Sequence, residues 1–142
     1  MELALLPFIE SQFDPYAQSS TGASGIWQFI LSTAREQKLK KNWWYDGRRD
    51  IVASTDAAFN YLTKLFNKYD DWLLAIAAYN AGPNRILKEI KKNKEKGLPT
   101  DFWSLKLPRE TKAYVPKLLA LLEVIKNPEK FSVVIPNLPN RP

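Results

Sequence analysis

Glu10 is the residue whose type and setting are best suited to proton-transfer chemistry. It follows an apolar segment, residues 5–9, and helical spacing would place Leu6 and Phe13 beside it. A carboxyl group in apolar surroundings tends to have a raised pKa, because burial disfavours the charged form. Such a group can hold a proton near neutral pH and donate it to a leaving oxygen. The same segment is also typical of a glutamate at the edge of a core, with its carboxyl in water.

The composition limits which other residue types could take part in catalysis. The sequence has no histidine and no cysteine, which removes the commonest general base, the commonest zinc ligand and any disulfide. Acid–base chemistry therefore falls to Glu, Asp, Lys or Tyr. Asp14 precedes a proline and is expected to cap a turn, Asp46 to lie in a turn, and Asp50 to cap a helix. None of these acids has an apolar setting comparable to that of Glu10.

Short helices are expected on both sides of a polar segment that follows Glu10. Apolar residues at helical spacing predict a helix over residues 3–13, and Asp14-Pro15 ends it because the residue before a proline avoids the α region. Ser32 is suited to cap the next helix, which runs to about residue 38.

The polar segment itself predicts a loop and a turn. Residues 16–25 are small and polar, which is typical of a loop, and residues 26–30 predict a short turn of helix. Gly22 and Gly25 are expected to permit a positive φ or a close approach of the backbone.

Two longer helices are predicted in the middle of the chain. Asp50 is suited to cap the first, whose apolar positions fall on one face: Ile51, Thr55, Ala58, Phe59, Leu62, Phe66 and Tyr69. Asp70 or Asp71 starts the second, which is apolar nearly all round over residues 73–78 and so predicts the central buried helix. Gly82-Pro83 ends this helix.

The remainder predicts a basic helix, a loop and an amphipathic helix. The basic helix covers residues 84–94, and the loop covers residues 97–108 and contains Phe102 and Trp103. The final helix, residues 110–126, is expected to face inward through Val115, Leu118, Leu119, Leu122 and Ile125. Residues 132–135 give the only hint of a strand.

Length and patterning together predict one mainly α-helical domain. The chain has 142 residues, of which 45% are hydrophobic, enough for one core. We expect the domain to cover residues 1–131 and a Pro-rich tail or linker to cover residues 132–142. A helical pattern that begins directly after Met1 predicts a domain cut from a longer protein. No apolar run is long enough to span a membrane.

The net charge of +6 suits an anionic partner such as nucleic acid, an anionic membrane or an acidic polymer. The excess lies in two clusters, residues 35–41 and 85–96, which are typical of the solvated faces and ends of helices. No nucleic-acid-binding motif accompanies them, so a basic helical module that binds nucleic acid is a remote alternative.

Four motifs occur in a characteristic order: ESQFDPYA at residues 10–17, GASGIWQF at 22–29, AYNAG at 78–82 and ETKAYV at 110–115. This order resembles the lytic transglycosylases of the soluble type, glycoside hydrolase family 23, over nearly the whole chain. Each motif is weak alone, and the four in sequence are specific. Two further segments, WWYDGRRD at 43–50 and LPRET at 107–111, are typical of one membrane-bound branch of that family.

The resemblance implies a lysozyme-like fold of the goose-type lysozyme and lytic transglycosylase class, and a role for each matched residue. Glu10 becomes the single catalytic acid and base, and Ser11 braces the helix end beside it. Five residues match substrate-binding positions: Ser19 at the sugar N-acetyl group, Gln28 at a sugar hydrogen bond, Tyr79 and Asn80 along the groove, and Tyr114 near the catalytic glutamate. Simpler roles are open for some of them, since Ser19 could only close a turn, Asn80 only cap the buried helix, and Tyr114 only fill the core.

The implied reaction needs one carboxyl group instead of the two that ordinary glycosidases use. Glu10 would protonate the oxygen between N-acetylmuramic acid and N-acetylglucosamine, while the N-acetyl carbonyl stabilises the cationic centre. Glu10 would then deprotonate the C6 hydroxyl of the same sugar, which attacks C1 and forms a 1,6-anhydro end. The resemblance implies no metal or organic cofactor. It also implies that the partner is the glycan strands of peptidoglycan and that the location is the bacterial periplasm. In the full-length protein a lipid anchor in the outer membrane would lie elsewhere in the sequence. We expect a monomer.

The sequence is also compatible with two other functions. A goose-type lysozyme would hydrolyse the same bond with a second acid to activate water, and Asp46 or Asp50 would be the candidates. A non-catalytic glycan-binding module would need no protonatable glutamate in an apolar setting, so the retention of Glu10 argues against it.

Overall fold

Helices dominate the computed structural model, which describes residues 2–136. In that part of the chain there are six α-helices: α1 Leu6–Ser11, α2 Leu31–Glu36, α3 Ile51–Tyr69, α4 Trp72–Ala81, α5 Pro83–Glu95 and α6 Arg109–Lys126. Short 3-10 helices cover Glu2–Leu5, Phe102–Ser104 and Pro128–Phe131. Residues 2–136 contain isolated β-bridges but no strand. The predicted mainly α, single-domain fold is confirmed.

Helix α4 lies at the centre, as its uniformly apolar sequence predicts. Five consecutive residues, Leu74 to Ala78, are buried, and α3, α5 and α6 all pack against it. Asp71 caps the helix, because its Oδ1 accepts the backbone N–H groups of Leu73 and Leu74 at 2.7 and 3.1 Å. Gly82, with φ +87, ends it as expected. One buried helix thus carries the packing of the domain.

Helix α3 begins and ends close to its predicted bounds, and the face it buries agrees with the prediction in part: Ala58 and Leu62 are fully buried, and Phe66 and Tyr69 pack partly buried against the core. Asp50 caps it by accepting the N–H of Ala53 at 2.9 Å. The buried residues are Ser54, Ala57, Ala58, Leu62 and Leu65, whereas the predicted inward residues Ile51 and Phe59 are exposed. Ser54, Ala57 and Leu65 are buried without having been predicted, so the buried face is centred slightly to one side of the predicted one and packs against α4.

Helix α6 shows a similar difference. Its buried residues are Thr111, Tyr114, Val115 and Leu118, so Val115 and Leu118 are confirmed as inward-facing. Leu119 and Ile125 are exposed, which makes that part of the prediction wrong. The helix packs against α1 and α4, and Leu122 in its second half is partly buried against the core.

The helix that carries Glu10 is shorter than predicted. It ends at Ser11, because Gln12 and Phe13 both take left-handed conformations, with φ of 54° and 63°. Their N–H groups bond back to the carbonyls of Phe8 and Pro7 at 3.0 and 3.2 Å, which satisfies the end of the helix. Proline 15 is therefore not what ends α1. Asp14 has the expected turn-capping role and accepts the N–H of Tyr16 at 2.8 Å.

Residues 16–25 form the predicted loop, but residues 26–30 do not form a turn of helix. Instead Gly25 to Gln28 make a tight turn, closed by the N–H of Gln28 on the carbonyl of Gly25 at 3.1 Å, beside a bridge between Ser24 and Phe29. Helix α2 then begins at Leu31 with no side-chain cap, so the prediction of Ser32 as cap is wrong. The residues predicted to be helical therefore form the tight turn and the bridge instead.

The C-terminal segments contain the predicted loop but not the predicted strand. The loop at residues 97–108 includes the 3-10 helix Phe102–Ser104, in which Phe102 is buried. No strand forms at residues 132–135, since Ser132 is left-handed and ends the preceding 3-10 helix. Most of the predicted tail, residues 137–142, lies outside the described residues, and the division at residue 131 stays a prediction. None of the described helices has the length and apolar character that crossing a bilayer requires.

Candidate active site

All six predicted site residues line one cavity of about 540 Å³. They reach it from four parts of the fold: Glu10 from α1, Ser19 and Gln28 from the loop and turn between α1 and α2, Tyr79 and Asn80 from the end of α4, and Tyr114 from α6. Residues separated by up to 104 positions are therefore brought together, as the resemblance implies. Their individual chemical roles stay predictions.

Glu10 is a half-buried carboxyl in the last turn of α1. Burial raises its pKa to about 7, against a reference value of 4.5. Two neighbours act in opposite directions: the hydroxyl of Tyr114 donates a hydrogen bond to Oε1 and lowers the pKa, and the charge of Glu110 raises it. A carboxyl with this pKa is protonated in a large fraction of molecules near neutral pH and can act as an acid and, once ionised, as a base.

The groups that desolvate Glu10 are only partly those expected. Leu6 is fully buried one turn earlier on α1, as predicted. Phe13 is outside the helix and 49% exposed, so its predicted place beside Glu10 is wrong. Tyr114, which is buried in the core, takes the position against the carboxyl that sequence spacing had assigned to Phe13.

Ser11 connects the end of α1 to the turn at residues 25–28. Its hydroxyl lies 3.1 Å from the carbonyl oxygen of Pro7 and 3.0 Å from that of Ile26. These two contacts agree with the predicted bracing role of Ser11. They hold α1, which carries Glu10, against the segment that contains Gln28.

Ser19 both closes a turn and lines the cavity. Its Oγ accepts the N–H of Ala23 at 3.0 Å and lies 2.9 Å from the hydroxyl of Thr21. Gly22, at φ +85, allows the chain to reverse between them. The two roles considered for Ser19 are thus compatible, because closing the turn holds its hydroxyl at the cavity wall.

Gln28 sits in a left-handed conformation, with φ 49°, in the turn that Gly25 opens. Its amide nitrogen donates to the carbonyls of Ala17 and Gly25 at 3.2 and 2.8 Å. Both amide hydrogens therefore serve the backbone, and Oε1 is the atom with capacity to accept a bond from a ligand.

The turn containing Gln28 is anchored from three directions. Tyr79 donates its hydroxyl to the carbonyl of Trp27 at 2.7 Å, and the Trp27 ring N–H donates to Thr55 at 2.9 Å. Arg48 donates to the carbonyl of Phe29 at 3.1 Å. Gly25 permits this packing, since a Cβ at that position would lie 1.8 Å from the Arg48 carbonyl oxygen.

Asn80 joins α4 to the start of α6 instead of capping its own helix. Its Oδ1 accepts the Thr111 hydroxyl at 2.8 Å, and its Nδ2 donates to Oε1 of Glu110 at 3.4 Å. The helix end is completed by the N–H of Gly82 on the carbonyl of Ala78 at 2.9 Å. Asn80 therefore does not cap α4, so that alternative role is wrong.

Two charged residues that the sequence reasoning missed also line the cavity, Glu110 and Lys117. They lie four residues before and three residues after Tyr114 on α6, which puts all three on one helical face. Helical spacing counted from Tyr114 would have identified both. The cavity therefore has a second carboxyl and a cation beside Glu10.

The acids considered for a lysozyme-type mechanism are not in this cavity. Asp46 pairs with Arg48 at 2.7 Å and lies 3.4 Å from the Lys41 ammonium, and the hydrogen bond from Arg48 lowers its pKa to about 2. Asp50 caps α3 and accepts the hydroxyl of Tyr45 at 2.9 Å. Both acids have structural partners, and both line a separate cavity. Glu110 is the carboxyl that accompanies Glu10.

Comparison with known proteins matches residues 1–101 to the family described as the transglycosylase SLT domain. The chain is 56% identical over 137 residues to membrane-bound lytic murein transglycosylase D of Escherichia coli (strain K12), covering 96% of the chain and 30% of that protein. The chain thus spans less than a third of the length of this relative.

Two further relatives extend the match. A protein of Alteromonas sp. (strain M-1) named "Putative tributyltin chloride resistance protein" is 39% identical over 98% of the chain and 67% of its own length. Membrane-bound lytic murein transglycosylase F of Desulfosudis oleivorans is 33% identical over 71% of the chain and 22% of its own length. The family match covers well over half of the chain and confirms the resemblance carried by the four motifs. This chain belongs to the transglycosylase SLT domain family.

Proposed function

We propose that this chain is the catalytic domain of a peptidoglycan lytic transglycosylase, which cleaves the β-1,4 bond between N-acetylmuramic acid and N-acetylglucosamine and leaves a 1,6-anhydromuramic end. Family membership and the name of the Escherichia coli relative support this activity. The observation that carries it is Glu10, a half-buried carboxyl with a pKa of about 7 in a cavity of about 540 Å³. Such a group can serve as acid and then as base within one reaction.

The proposed reaction has two proton transfers through Glu10. The protonated carboxyl donates to the glycosidic oxygen as the C1–O bond breaks, and the N-acetyl carbonyl oxygen of the same sugar stabilises the charge at C1. The Glu10 carboxylate then takes the proton of the C6 hydroxyl, and that oxygen bonds to C1. Glu10 has then donated one proton and taken one back, so the carboxyl ends in its starting protonation state. No water is consumed.

The surrounding residues have supporting roles in this proposal. Tyr114 holds the Glu10 carboxyl through its hydrogen bond, and Ser19 orients the N-acetyl group from the loop wall. Gln28 accepts a bond from a sugar hydroxyl through Oε1, while Tyr79 and Asn80 line the groove. Residues 1–131 make up the catalytic domain in this proposal, and residues 132–142 a tail or linker.

The expected substrate and location follow from the same proposal. The positive net charge of the chain suits peptidoglycan, whose lactyl and peptide groups carry carboxylates. The enzyme would act in the periplasm as a monomer and without a metal or organic cofactor. The names of the relatives as membrane-bound transglycosylases support action close to a membrane.

Hydrolysis is the second candidate function, because Glu110 lines the same cavity as Glu10. A hydrolase needs a second carboxylate to activate water, and Glu110 is better placed for this than Asp46 or Asp50. The transglycosylase is favoured because Glu110 is exposed and already accepts a hydrogen bond from Asn80.

Product analysis distinguishes the two reactions. Digestion of intact peptidoglycan in heavy-oxygen water, followed by mass spectrometry, should give mainly anhydromuramic ends that are lighter than reducing ends by one water molecule and carry no label. Reducing ends that incorporate heavy oxygen would establish hydrolysis instead, and Glu110→Gln should then abolish it.

Replacement of Glu10 tests its role in either reaction. Glu10→Gln keeps the shape and can still accept the Tyr114 hydroxyl, but an amide does not donate a proton at useful rates. We expect activity to fall by at least about a hundredfold, the usual contribution of a general acid or more, with an unchanged circular dichroism spectrum. A folded variant that retains a substantial fraction of wild-type activity would remove Glu10 from the acid role.

A further inference from the structure

A second cavity, of about 530 Å³, lies beside the candidate active site and takes no part in the chemistry proposed above. Its walls include four aromatic residues, Tyr16, Trp43, Trp44 and Tyr45, together with the cations Lys41 and Arg49. We call this group of residues the aromatic–basic pocket.

The two tryptophans of the pocket are held out in solvent by an ordered turn. Trp43 and Trp44 are 88% and 90% exposed, with their rings 6.4 Å apart and nearly perpendicular. Asn42 fixes the turn, since its Oδ1 accepts the N–H groups of Trp44 and Tyr45 at 2.9 and 2.8 Å and its own N–H bonds to the Tyr45 carbonyl at 2.8 Å. Large apolar surfaces displayed in this way are typical of a binding site and not of a folded core.

The charges of the pocket leave a cation available for a ligand. Asp46 is engaged by Arg48 and Lys41, and Asp50 by the N–H of Ala53 and the hydroxyl of Tyr45. Arg49, in contrast, has only neutral partners among the described residues, the hydroxyl of Ser24 at 3.2 Å and the amide oxygen of Gln18 at 3.5 Å. A guanidinium without a carboxylate partner suits a carboxylate on a ligand.

One loop separates this pocket from the candidate active site. Gln18 and Ser24 pair across the base of the loop, and Gln18 lines the aromatic–basic pocket. Ser19, Thr21 and Ala23, in the same loop, line the cavity that contains Glu10. A polymer that continues past the catalytic cavity can therefore cross this loop and meet the second pocket.

We propose that the aromatic–basic pocket is a second peptidoglycan-binding site, in which Trp43 and Trp44 contact a sugar face and Arg49 binds a carboxylate of its peptide or lactyl substituent. The inference rests on the proposed function, because it concerns the same polymer away from the bond that is cleaved. Two linked contacts on one polymer raise apparent affinity without any change at the reacting atoms. The pocket would then act on polymer binding and not on the chemical step.

Binding is tested with Glu10→Gln protein, so that the polymer stays intact, by co-sedimentation with insoluble peptidoglycan. The double substitution Trp43→Ala/Trp44→Ala should weaken binding by about tenfold, the loss expected when a stacked aromatic contact is removed. Trp103→Ala is the matched control, since Trp103 is 61% exposed and lines neither cavity, and it should bind like the parent. Equal binding by all three proteins, each with an unchanged thermal melt, would overturn the proposal.

The charge requirement is tested with peptidoglycan whose carboxyl groups have been converted to amides. Arg49→Gln should weaken binding to native peptidoglycan and have no effect on binding to the amidated polymer. Arg49→Lys, which keeps the positive charge, should restore part of the affinity. If Arg49→Gln weakened binding to both polymers equally, or to neither, the carboxylate assignment would be wrong.

Kinetics separate a failure of this inference from a failure of the proposed function. With the Glu10 carboxyl intact, the double tryptophan variant should show a raised KM on insoluble peptidoglycan, an unchanged kcat, and unchanged kinetics on a short soluble glycan that fills only the catalytic cavity. An active wild-type enzyme with an unaffected double variant contradicts the second site alone. A wild-type enzyme that forms no anhydro product from either substrate contradicts the proposed function.

Discussion

The pKa of Glu10 results from three neighbouring influences that the structure separates. Burial raises it, the Tyr114 hydrogen bond lowers it, and the Glu110 charge raises it, with a net value of about 7. Because the hydrogen bond comes from Tyr114 alone and the charge from Glu110 alone, each of these two influences can be removed by one substitution. The proposed mechanism requires the protonated form first, so activity should fall at alkaline pH as Glu10 ionises.

Tyr114→Phe should move the alkaline limb of the pH–rate profile to higher pH. The substitution removes a hydrogen bond that stabilises the carboxylate, so the pKa of Glu10 rises further. The maximal rate should fall at the same time, because the carboxyl loses the group that orients it. The measurement is kcat/KM on a soluble glycan between pH 5 and pH 9; a limb that moves toward acid would contradict the assigned role of Tyr114.

Glu110→Gln should move the same limb in the opposite direction. Removal of a nearby negative charge makes ionisation of Glu10 easier and lowers its pKa. Glu123→Gln is the control, since Glu123 lies on the same helix α6 and pairs with Lys130 at 3.0 Å. The control should leave the limb in place, and opposite shifts for the Glu110 and Tyr114 variants would be hard to explain by a general loss of structure.

At the level of single residues, motifs predicted more than local spacing did. Glu10 and Tyr114 were expected together only because of motif order, since 104 positions separate them. Spacing alone placed Phe13 beside Glu10, and this failed because two left-handed residues end α1 early. Glu110 and Lys117 were missed because a charged residue on an amphipathic helix is far more often solvated than part of a cavity.

At the level of elements, the sequence predicted helices with caps and missed turns with strained backbone. Asp50 and Asp71 start α3 and α4 through side-chain bonds that depend on local sequence alone. The turn at residues 25–28 depends on contacts from Arg48, Tyr79 and Ser11, which are distant in sequence. The prediction of the buried faces of α3 and α6 was only partly right for a related reason. Which face a helix buries depends on the neighbours it packs against, and these are distant in sequence.

Gly25→Ala should damage the site far more than Gly22→Ala does. Both glycines have a positive φ, +83 and +85, so both substitutions carry the strain of about 1 kcal/mol that an alanine has there. Only at Gly25 would the new Cβ also overlap backbone, 1.8 Å from the Arg48 carbonyl oxygen, whereas nothing lies within 4 Å at Gly22. The turn must then move, together with Gln28 and the Ser11 contact.

Urea unfolding and activity assays on the two glycine variants test this difference. Gly22→Ala should lose about 1 kcal/mol of unfolding free energy and keep most of its activity. Gly25→Ala should lose several times as much and most of its activity even at low temperature, where it is still folded. Similar stability and activity for both variants would mean that the approach of Arg48 to Gly25 is not required.

At the level of the whole molecule, the candidate site is assembled around the most buried part of the core. Helix α4 supplies Tyr79 and Asn80, and α6 supplies Tyr114, which is itself part of the hydrophobic core. The central position of α4 was predictable, because ten residues with hardly a polar side chain have to be covered on all sides. Placing a carboxyl against this core desolvates it, so the property that suits Glu10 to catalysis carries a cost in stability.

This cost predicts that Glu10→Gln stabilises the fold above neutral pH. The pKa of Glu10 is about 7 in the folded protein and near 4.5 when unfolded, so between these values the folded state binds more protons and stability falls as pH rises. The gap corresponds to at most about 3 kcal/mol.

Glutamine resembles the protonated acid and avoids the loss, so urea unfolding should show the variant more stable than wild type at pH 8 and equal to it at pH 4. Glu123→Gln, which removes an exposed carboxylate, should show no such gain. An equal difference between wild type and Glu10→Gln at both pH values would mean that ionisation of Glu10 is not what limits stability in alkaline solution.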